Sequence, residues 1–144
     1  MKNKYYVVFD TNVIISAFLS SKTENYSALL LDYIYDEVVV PIYSDEILCE
    51  YKVVLSRDKF PFTKKVIGDF INSLKEVGIK INPNKLNIDF IDIDDLVFYE
   101  VLMNKDQFNK KLVTGNSKHF PKQVNIKTPK EMYELIIKNK HYKE

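Results

Sequence analysis

The sequence predicts an α/β fold, a three-layer α/β/α sandwich in which helices cover both faces of a mostly parallel sheet. Short apolar segments rich in β-branched residues alternate along the chain with longer segments of helical periodicity, which is the pattern of parallel strands joined by helices. The chain has 144 residues, a length typical of one domain, so we expect a single domain over residues 1–144. Its hydrophobic fraction of 46% and charged fraction of 28% exclude a disordered chain.

The first half of the chain carries two predicted strands. Aromatic and β-branched residues predict a buried strand over Lys4–Phe9, and three consecutive valines, followed by Pro41, predict another over Val38–Val40. The apolar spacing predicts helices over Asn12–Leu19, Asn25–Tyr35, Ser44–Leu55 and Thr63–Val77. The hydroxyls of Ser44 and Thr63 suit helix N-caps, because they accept hydrogen bonds from unpaired backbone N–H groups.

The second half alternates in the same way. Gly78 ends the fourth helix, and Asp94–Met103, which is apolar on most sides, predicts a buried helix. The short strand candidates are Ile79–Ile81, Ile88–Ile91, Lys111–Thr114 and Val124–Ile126. Thr128 and Glu131 form a capping box with Pro129 at the first helical position, which predicts the start of the last helix.

Composition excludes several classes of protein. No apolar run approaches the roughly 18 residues of a membrane span, and the first residues lack the apolar segment of a signal peptide. One cysteine, Cys49, excludes an internal disulfide and a multi-cysteine zinc site. We expect Cys49 to be a small core residue and the protein to be cytoplasmic.

The charges are segregated although the net charge is only +1. Residues 87–103 contain five acids and no lysine or arginine, whereas residues 104–144 contain ten lysines against four acids. This pattern indicates either a cation site beside a polyanion partner or ordinary solvated surface charge.

Acidic side chains occur where a parallel sheet places ligands, at the carboxyl ends of its strands. Asp10 follows the first strand and either lines that crevice or caps the next helix. Glu50 borders the apolar face of its helix, so its carboxylate needs a bound cation or an internal lysine partner. Asp92, Asp94 and Asp95 lie at a strand-to-helix junction, where Asp94 and Asp95 also suit cap positions. Converging carboxylates repel one another unless cations lie between them, and magnesium and manganese prefer such ligands.

Four segments, in order along nearly the whole chain, resemble the PIN domain family and specifically its bacterial and archaeal toxin-like branch. They are Asp10-Thr11-Asn12 after the first strand, Ser44 followed six residues later by Glu50, Asp92-x-Asp94-Asp95-x-x-Phe98, and Leu112-Val113-Thr114-Gly115-Asn116-x-x-His119-Phe120. The resemblance implies a metal-dependent ribonuclease that uses one or two Mg²⁺ or Mn²⁺ ions. It also implies single-stranded or structured RNA as substrate, a cognate antitoxin protein as partner, and a possible homodimer.

The resemblance also assigns the acids residue by residue. The three that would bind metal and carry catalysis are Asp10, Glu50 and Asp95. Glu46 is the competing register for the second acid, and Asp92 or Asp94 for the third. These alternatives stay open, because Asp92 and Asp94 are also weaker metal-ligand candidates.

The last motif departs from the family at Asn116, where many members carry a fourth acid. The amide of Asn116 brings an oxygen but no charge, so it is a weaker metal ligand. Asn12 and Thr114 are the residues that would orient the site. His119 has no settled catalytic role in the family pattern, and a lone loop histidine suits a structural role. The candidates for contact with RNA phosphates, or for simple solvation, are Lys118 and Lys122.

Three rival functions fit parts of the same pattern. A phosphoacceptor receiver domain shares the fold class but has paired acids after the first strand, and here only Asp10 stands there. A haloacid-dehalogenase-like phosphatase requires Asp-x-Asp at this point, and position 12 is asparagine. The serious alternative is a catalytically weak or inactive PIN module that binds RNA or a protein partner, which Asn116 favours.

Overall fold

A computed structural model describes residues 3–20 and 25–142. Its strands are β1 (Tyr5–Phe9), β2 (Val39–Tyr43), β3 (Ile79–Lys80), β4 (Lys110–Val113) and β5 (Ile126–Lys127). Its helices are α1 (Thr11–Leu19), α2 (Tyr26–Tyr35), α3 (Asp45–Leu55), α4 (Lys64–Val77), α5 (Leu96–Met103) and α6 (Pro129–Tyr142). The single domain over 1–144 stays a prediction, since its first and last two residues and 21–24 lie outside the described residues. Within the described ranges, none of the helices is both long and apolar enough to cross a membrane.

The five strands form one parallel sheet in the order β3-β2-β1-β4-β5. Strands β2 and β3 lie on one side of β1, and β4 and β5, which come later in the chain, lie on the other side. Helix α2 packs against α1 and α6, and helix α3 packs against α4 and α5. The predicted parallel α/β/α fold is therefore confirmed. Because the strand order reverses between β1 and β4, a ligand crevice is expected at the carboxyl ends of these two strands.

The core anchors helices α3 and α5 to the end of β1. Tyr51 of α3 is 2% exposed, and its hydroxyl donates a hydrogen bond to the carbonyl of Phe9, the last residue of β1. The ring of Phe98 on α5 lies 6.1 Å from the Tyr51 ring. These contacts hold Glu50, the neighbour of Tyr51, and Asp95, one turn before Phe98, near the same edge of the sheet.

The predicted helix caps are present. The hydroxyls of Ser44 and Thr63 each accept a hydrogen bond, 3.1 Å long, from the backbone N–H three residues later. Thr128 and Glu131 form the reciprocal pair of a capping box, with hydrogen bonds of 2.8 Å and 3.2 Å. Helices α3, α4 and α6 therefore begin where local sequence places them.

Strand β2 is longer than predicted, because it continues through Pro41 to Tyr43. The carbonyl of Pro41 lies beside Gly78, so the carbonyl and the nitrogen of Pro41 both face the β3 side of β2. Strand β3 pairs with β2 only from Ile42 onwards. Pro41 therefore needs no N–H for the hydrogen bonds between β2 and β3.

The predicted strand over Ile88–Ile91 is wrong. The segment is irregular, and Ile88 and Ile91 are 43% and 76% exposed. Only Phe90 packs inward, with its ring 5.3 Å from that of Tyr99 and 5.6 Å from that of Phe120. The segment is therefore held by the ring contacts of Phe90 and not by the strand hydrogen bonds that its apolar residues predict.

Three smaller expectations also need correction. The predicted helix from Asp94 begins with a 3-10 turn over Ile93–Asp95 and becomes α-helical at Leu96. The last strand lies at residues 126–127 rather than 124–126, and Val124 is exposed. Cys49 is exposed rather than buried in the core, because it lies on the solvent-facing side of α3.

We expect Gly78→Ala to destabilise the fold by about 1–3 kcal/mol, as overpacking typically does. A Cβ atom at Gly78 would lie 2.6 Å from the carbonyl oxygens of both Leu74 and Pro41, neither of which can rotate away. The control is Gly68→Ala on α4, where a Cβ meets nothing within 4 Å and better helix propensity should stabilise by about 0.5–1 kcal/mol. Urea unfolding measures both, and equal stabilities would contradict the expected steric clash.

Candidate metal centre

Asp10 lies at the point where the strand order reverses. Its carboxyl side chain is buried, and its backbone N–H donates a 3.0 Å hydrogen bond to the carbonyl of Val113 on β4. The buried Thr114 hydroxyl donates a 2.7 Å hydrogen bond to Asp10 Oδ2 and accepts one of 3.0 Å from the N–H of Asn116. Thr114 therefore fixes the orientation of the Asp10 carboxylate and ties it to the loop that carries Asn116.

Burial raises the pKa of Asp10 above its ordinary value, because an ionised carboxylate loses solvation there. Hydrogen bonds from the Thr114 hydroxyl and from the backbone N–H groups of Asn12 and Thr11 act against that rise. Asn12 thus acts on Asp10 through its main chain, while its side chain is exposed. The donors favour an ionised Asp10 that a bound cation would neutralise.

Glu50 on α3 is half-buried and lies close enough to Asp10, Asp92 and Asp94 for their charges to act on it. Burial raises the pKa of its carboxyl, and the negative charge of Asp94 raises it further. Asp10 and Asp92 act in the same direction, whereas Arg57 opposes them. Among the described residues no lysine forms an ion pair with Glu50, so the internal lysine partner considered above is not found there.

Asp95, at the start of α5, is buried beside His119. Its Oδ2 lies 3.3 Å from His119 Nδ1. Burial, followed by the charges of Asp10 and Asp92, raises the pKa of Asp95 to about 6. Ligand atoms from Asp92, Asp95 and His119 all lie within 4.8 Å of one another. Because the charge of Asp10 acts on both Glu50 and Asp95, and those of Asp92 and Asp94 act on Glu50, these carboxylates from three chain segments lie near one another. We call them the acidic cluster: Asp10, Glu50, Asp92, Asp94 and Asp95.

The members of the acidic cluster differ in their exposure to solvent. Asp10 is 2% exposed, whereas Asp92 and Asp94 are exposed, with Asp92 Oδ1 accepting a 3.0 Å hydrogen bond from the N–H of Asp94. Asp92 is therefore also the cap of the 3-10 turn. Because one side of the acidic cluster is open, a polymeric substrate can approach it from solvent.

The other predicted site residues differ in their exposure and contacts. Glu46 is exposed in the first turn of α3, and its carboxylate pairs with Lys85. Asn116 is half-buried, and its link to Asp10 runs through Thr114. The lysines predicted to contact RNA are both exposed on the loop around His119, and they are Lys118 and Lys122.

His119 is the contact that sequence reasoning missed. It lies 24 residues from Asp95 along the chain, and no local pattern connects the two. The only available signal was the histidine of the last motif, which by itself suits a structural role. The carboxylate oxygens of the acidic cluster are ligands that Mg²⁺ and Mn²⁺ prefer, and the His119 imidazole lies beside them.

In the metal-free protein, the Asp95 carboxyl should make the free energy of unfolding fall as the pH rises from about 4 to about 6. Its pKa in the folded protein, about 6, exceeds the ordinary 3.8, so the folded state holds a proton that the unfolded state releases in this window. Asp95→Asn cannot ionise. Its melting temperature in chelator should therefore exceed that of the wild type by a margin that grows with pH across this window, and a pH-independent margin would contradict the assignment.

The chain has a parallel sheet covered by helices, with acidic side chains near the point where the strand order reverses. It is therefore an α/β protein with an acidic site of the kind that binds divalent cations. The family model of the PIN domain matches residues 6–118, and the chain therefore belongs to the PIN domain family. PIN domains are generally metal-dependent nucleases. No significant match was found among curated proteins or among solved structures.

Proposed function

We propose that this protein is a metal-dependent endoribonuclease that hydrolyses RNA phosphodiester bonds and serves as the toxin of a toxin–antitoxin pair in the cytoplasm. The observation that supports it best is the convergence of Asp10, Glu50 and Asp95. These residues come from the end of β1, from α3 and from the position just before α5, and the charge of Asp10 raises the pKa of both Glu50 and Asp95.

Asp10, Glu50 and Asp95 would hold one or two Mg²⁺ or Mn²⁺ ions, with Asp92 and Asp94 as additional ligands. A bound divalent ion supplies activation of water for in-line attack and stabilisation of the leaving oxygen. Thr114 keeps the Asp10 carboxylate oriented through its 2.7 Å hydrogen bond. Tyr51 and Phe98 keep α3 and α5 against the end of β1, so the ligands are preorganised.

RNA would be attracted by lysines rather than read by base contacts. Lys118 and Lys122 are exposed on the loop that holds His119, and the chain contains only one arginine, Arg57. Lysine attracts phosphate as a point charge, whereas bidentate base recognition suits arginine. Binding should therefore weaken as salt concentration increases.

The test is cleavage of a panel of single-stranded and hairpin RNAs with Mn²⁺ and with chelator. We expect cleavage only with the ion, and products without a 2′,3′-cyclic phosphate, because water rather than the neighbouring 2′-hydroxyl is the nucleophile. Cleavage that persists in chelator, or cyclic phosphate ends, would contradict the proposal. Binding of the same RNAs without cleavage would favour the second candidate, an inactive PIN module.

The amide at position 116, where many family members carry an acid, favours the second candidate. Substitution of Asn116 tests whether this position contacts the ion. Asn116→Asp adds a charged ligand beside Thr114, so it should raise Mn²⁺ affinity and increase cleavage at low metal concentration. The added charge also repels Asp95 before metal binds. We therefore expect the variant to melt at a lower temperature than wild type in chelator and to gain more from Mn²⁺. Equal Mn²⁺ shifts for both proteins would show that position 116 does not contact the ion.

We further propose a cognate antitoxin as partner, because PIN domains often pair with antitoxins. An apolar groove of about 410 Å³ between α1, α2 and α4 would suit such a partner. Acidic side chains on its lining favour a basic partner segment: Asp32, Glu37 and Glu76. Co-expression with the protein of a neighbouring reading frame, followed by size-exclusion chromatography, tests both this pairing and a homodimer.

A further inference from the structure

His119 lies against the acidic cluster but has no task in the proposed reaction. Its backbone N–H donates a 2.9 Å hydrogen bond to the carbonyl of Asn116, which closes a 3-10 turn over Ser117–His119. This turn places Nδ1 3.3 Å from Asp95 Oδ2, with the side chain 41% exposed. The ring is therefore held in place at the open side of the site rather than packed into the core.

The spacing of three side chains there fits a single ion. One ligand atom each from Asp92, Asp95 and His119 lies within 4.8 Å of the others. Ligands bound about 2.1–2.2 Å from a common ion lie at most about 4.4 Å apart, so small side-chain rotations complete the site. Asp92 Oδ1 caps the N–H of Asp94, which leaves its other oxygen for a ligand.

We propose that His119 binds the divalent ion directly through its imidazole nitrogen, together with Asp92 and Asp95. The inference rests on the proposed function, because it concerns the ion of that same site. The imidazole supplies a donor on the loop where Asn116 brings no charge. A neutral imidazole can carry its proton on Nε2, which leaves the lone pair of Nδ1 for the ion.

A mixed oxygen and nitrogen donor set has a consequence for metal choice. Carboxylates and water suit Mg²⁺, whereas imidazole suits transition metals, whose affinity rises from Mn²⁺ to Co²⁺. The site should therefore prefer Mn²⁺ and Co²⁺ over Mg²⁺. His119→Gln should reduce Mn²⁺ and Co²⁺ affinity by about tenfold or more, at least as much as the loss of an outer-shell partner, and should reduce Mg²⁺ affinity much less.

The test is pulsed electron paramagnetic resonance of Mn²⁺ bound to the full chain without an affinity tag. We expect an imidazole ¹⁴N coupling in the wild type that is lost in His119→Gln. The matched control is His141→Gln, since His141 is the other of the two histidines in the chain and should leave the coupling intact. Calorimetric titrations with Mn²⁺, Co²⁺ and Mg²⁺ on the same three proteins measure the change in preference.

The outcomes separate this inference from the proposed function. Bound Mn²⁺ without ¹⁴N coupling in the wild type, or a coupling that survives in His119→Gln, would overturn the role of His119. Metal-dependent RNA cleavage would then still stand. Absence of Mn²⁺ binding in the wild type would overturn both proposals.

Discussion

Replacing Asp10 by asparagine is expected to slow metal-dependent RNA cleavage by at least about 100-fold, which corresponds to about 3 kcal/mol of lost transition-state stabilisation. Asp10 is the most buried carboxylate of the acidic cluster and follows β1 at the point where the strand order reverses. The variant should keep the fold, because an amide oxygen still accepts the hydrogen bond from Thr114. The lost charge also relieves repulsion with Asp95 and Glu50.

Initial rates on a fluorogenic single-stranded RNA, with melting temperatures of the same samples, measure this effect. The control is Asp69→Asn, because Asp69 is exposed on α4 and pairs with Lys65 at 2.9 Å. That variant should cleave at the wild-type rate. Full activity in Asp10→Asn, or an equal loss in Asp69→Asn, would refute the metal site as proposed.

Glu50→Gln is expected to weaken Mn²⁺ binding by about tenfold or more, whereas Glu46→Gln should change it little. Glu50 is half-buried and interacts electrostatically with Asp94, Asp10 and Asp92. Glu46 lies one turn earlier, is exposed, and pairs with Lys85, so its loss removes only a surface ion pair worth about 0–1 kcal/mol.

Isothermal titration calorimetry of both variants with Mn²⁺ provides the comparison. The two substitutions make the same chemical change on the same helix, so each controls for the other. If Glu46→Gln weakened binding more than Glu50→Gln, the register of α3 relative to the metal would be wrong by one turn.

Local chemistry determined the features that the sequence predicts best. The caps at Ser44 and Thr63 and the capping box at Thr128 depend on hydrogen bonds to residues three positions away, so they are visible in the sequence. The alternation of buried strands and helices likewise predicted the parallel sheet. Placing Asp10 at the carboxyl end of β1 required only the end of one apolar run.

Tertiary structure decided which side chains meet. Asp10 and Thr114 are 104 residues apart, and Asp95 and His119 are 24 residues apart. The pairing of β1 with β4 brings the first pair together, and the packing of two separate turns brings the second together. The same holds for the continuation of β2 through Pro41, which depends on where β3 begins, and for Ile88–Ile91, whose segment is anchored through Phe90 alone. Sequence periodicity reports how a residue is oriented within its own element. Contacts between elements depend on the packing free energy of the whole sheet, and no single segment encodes it.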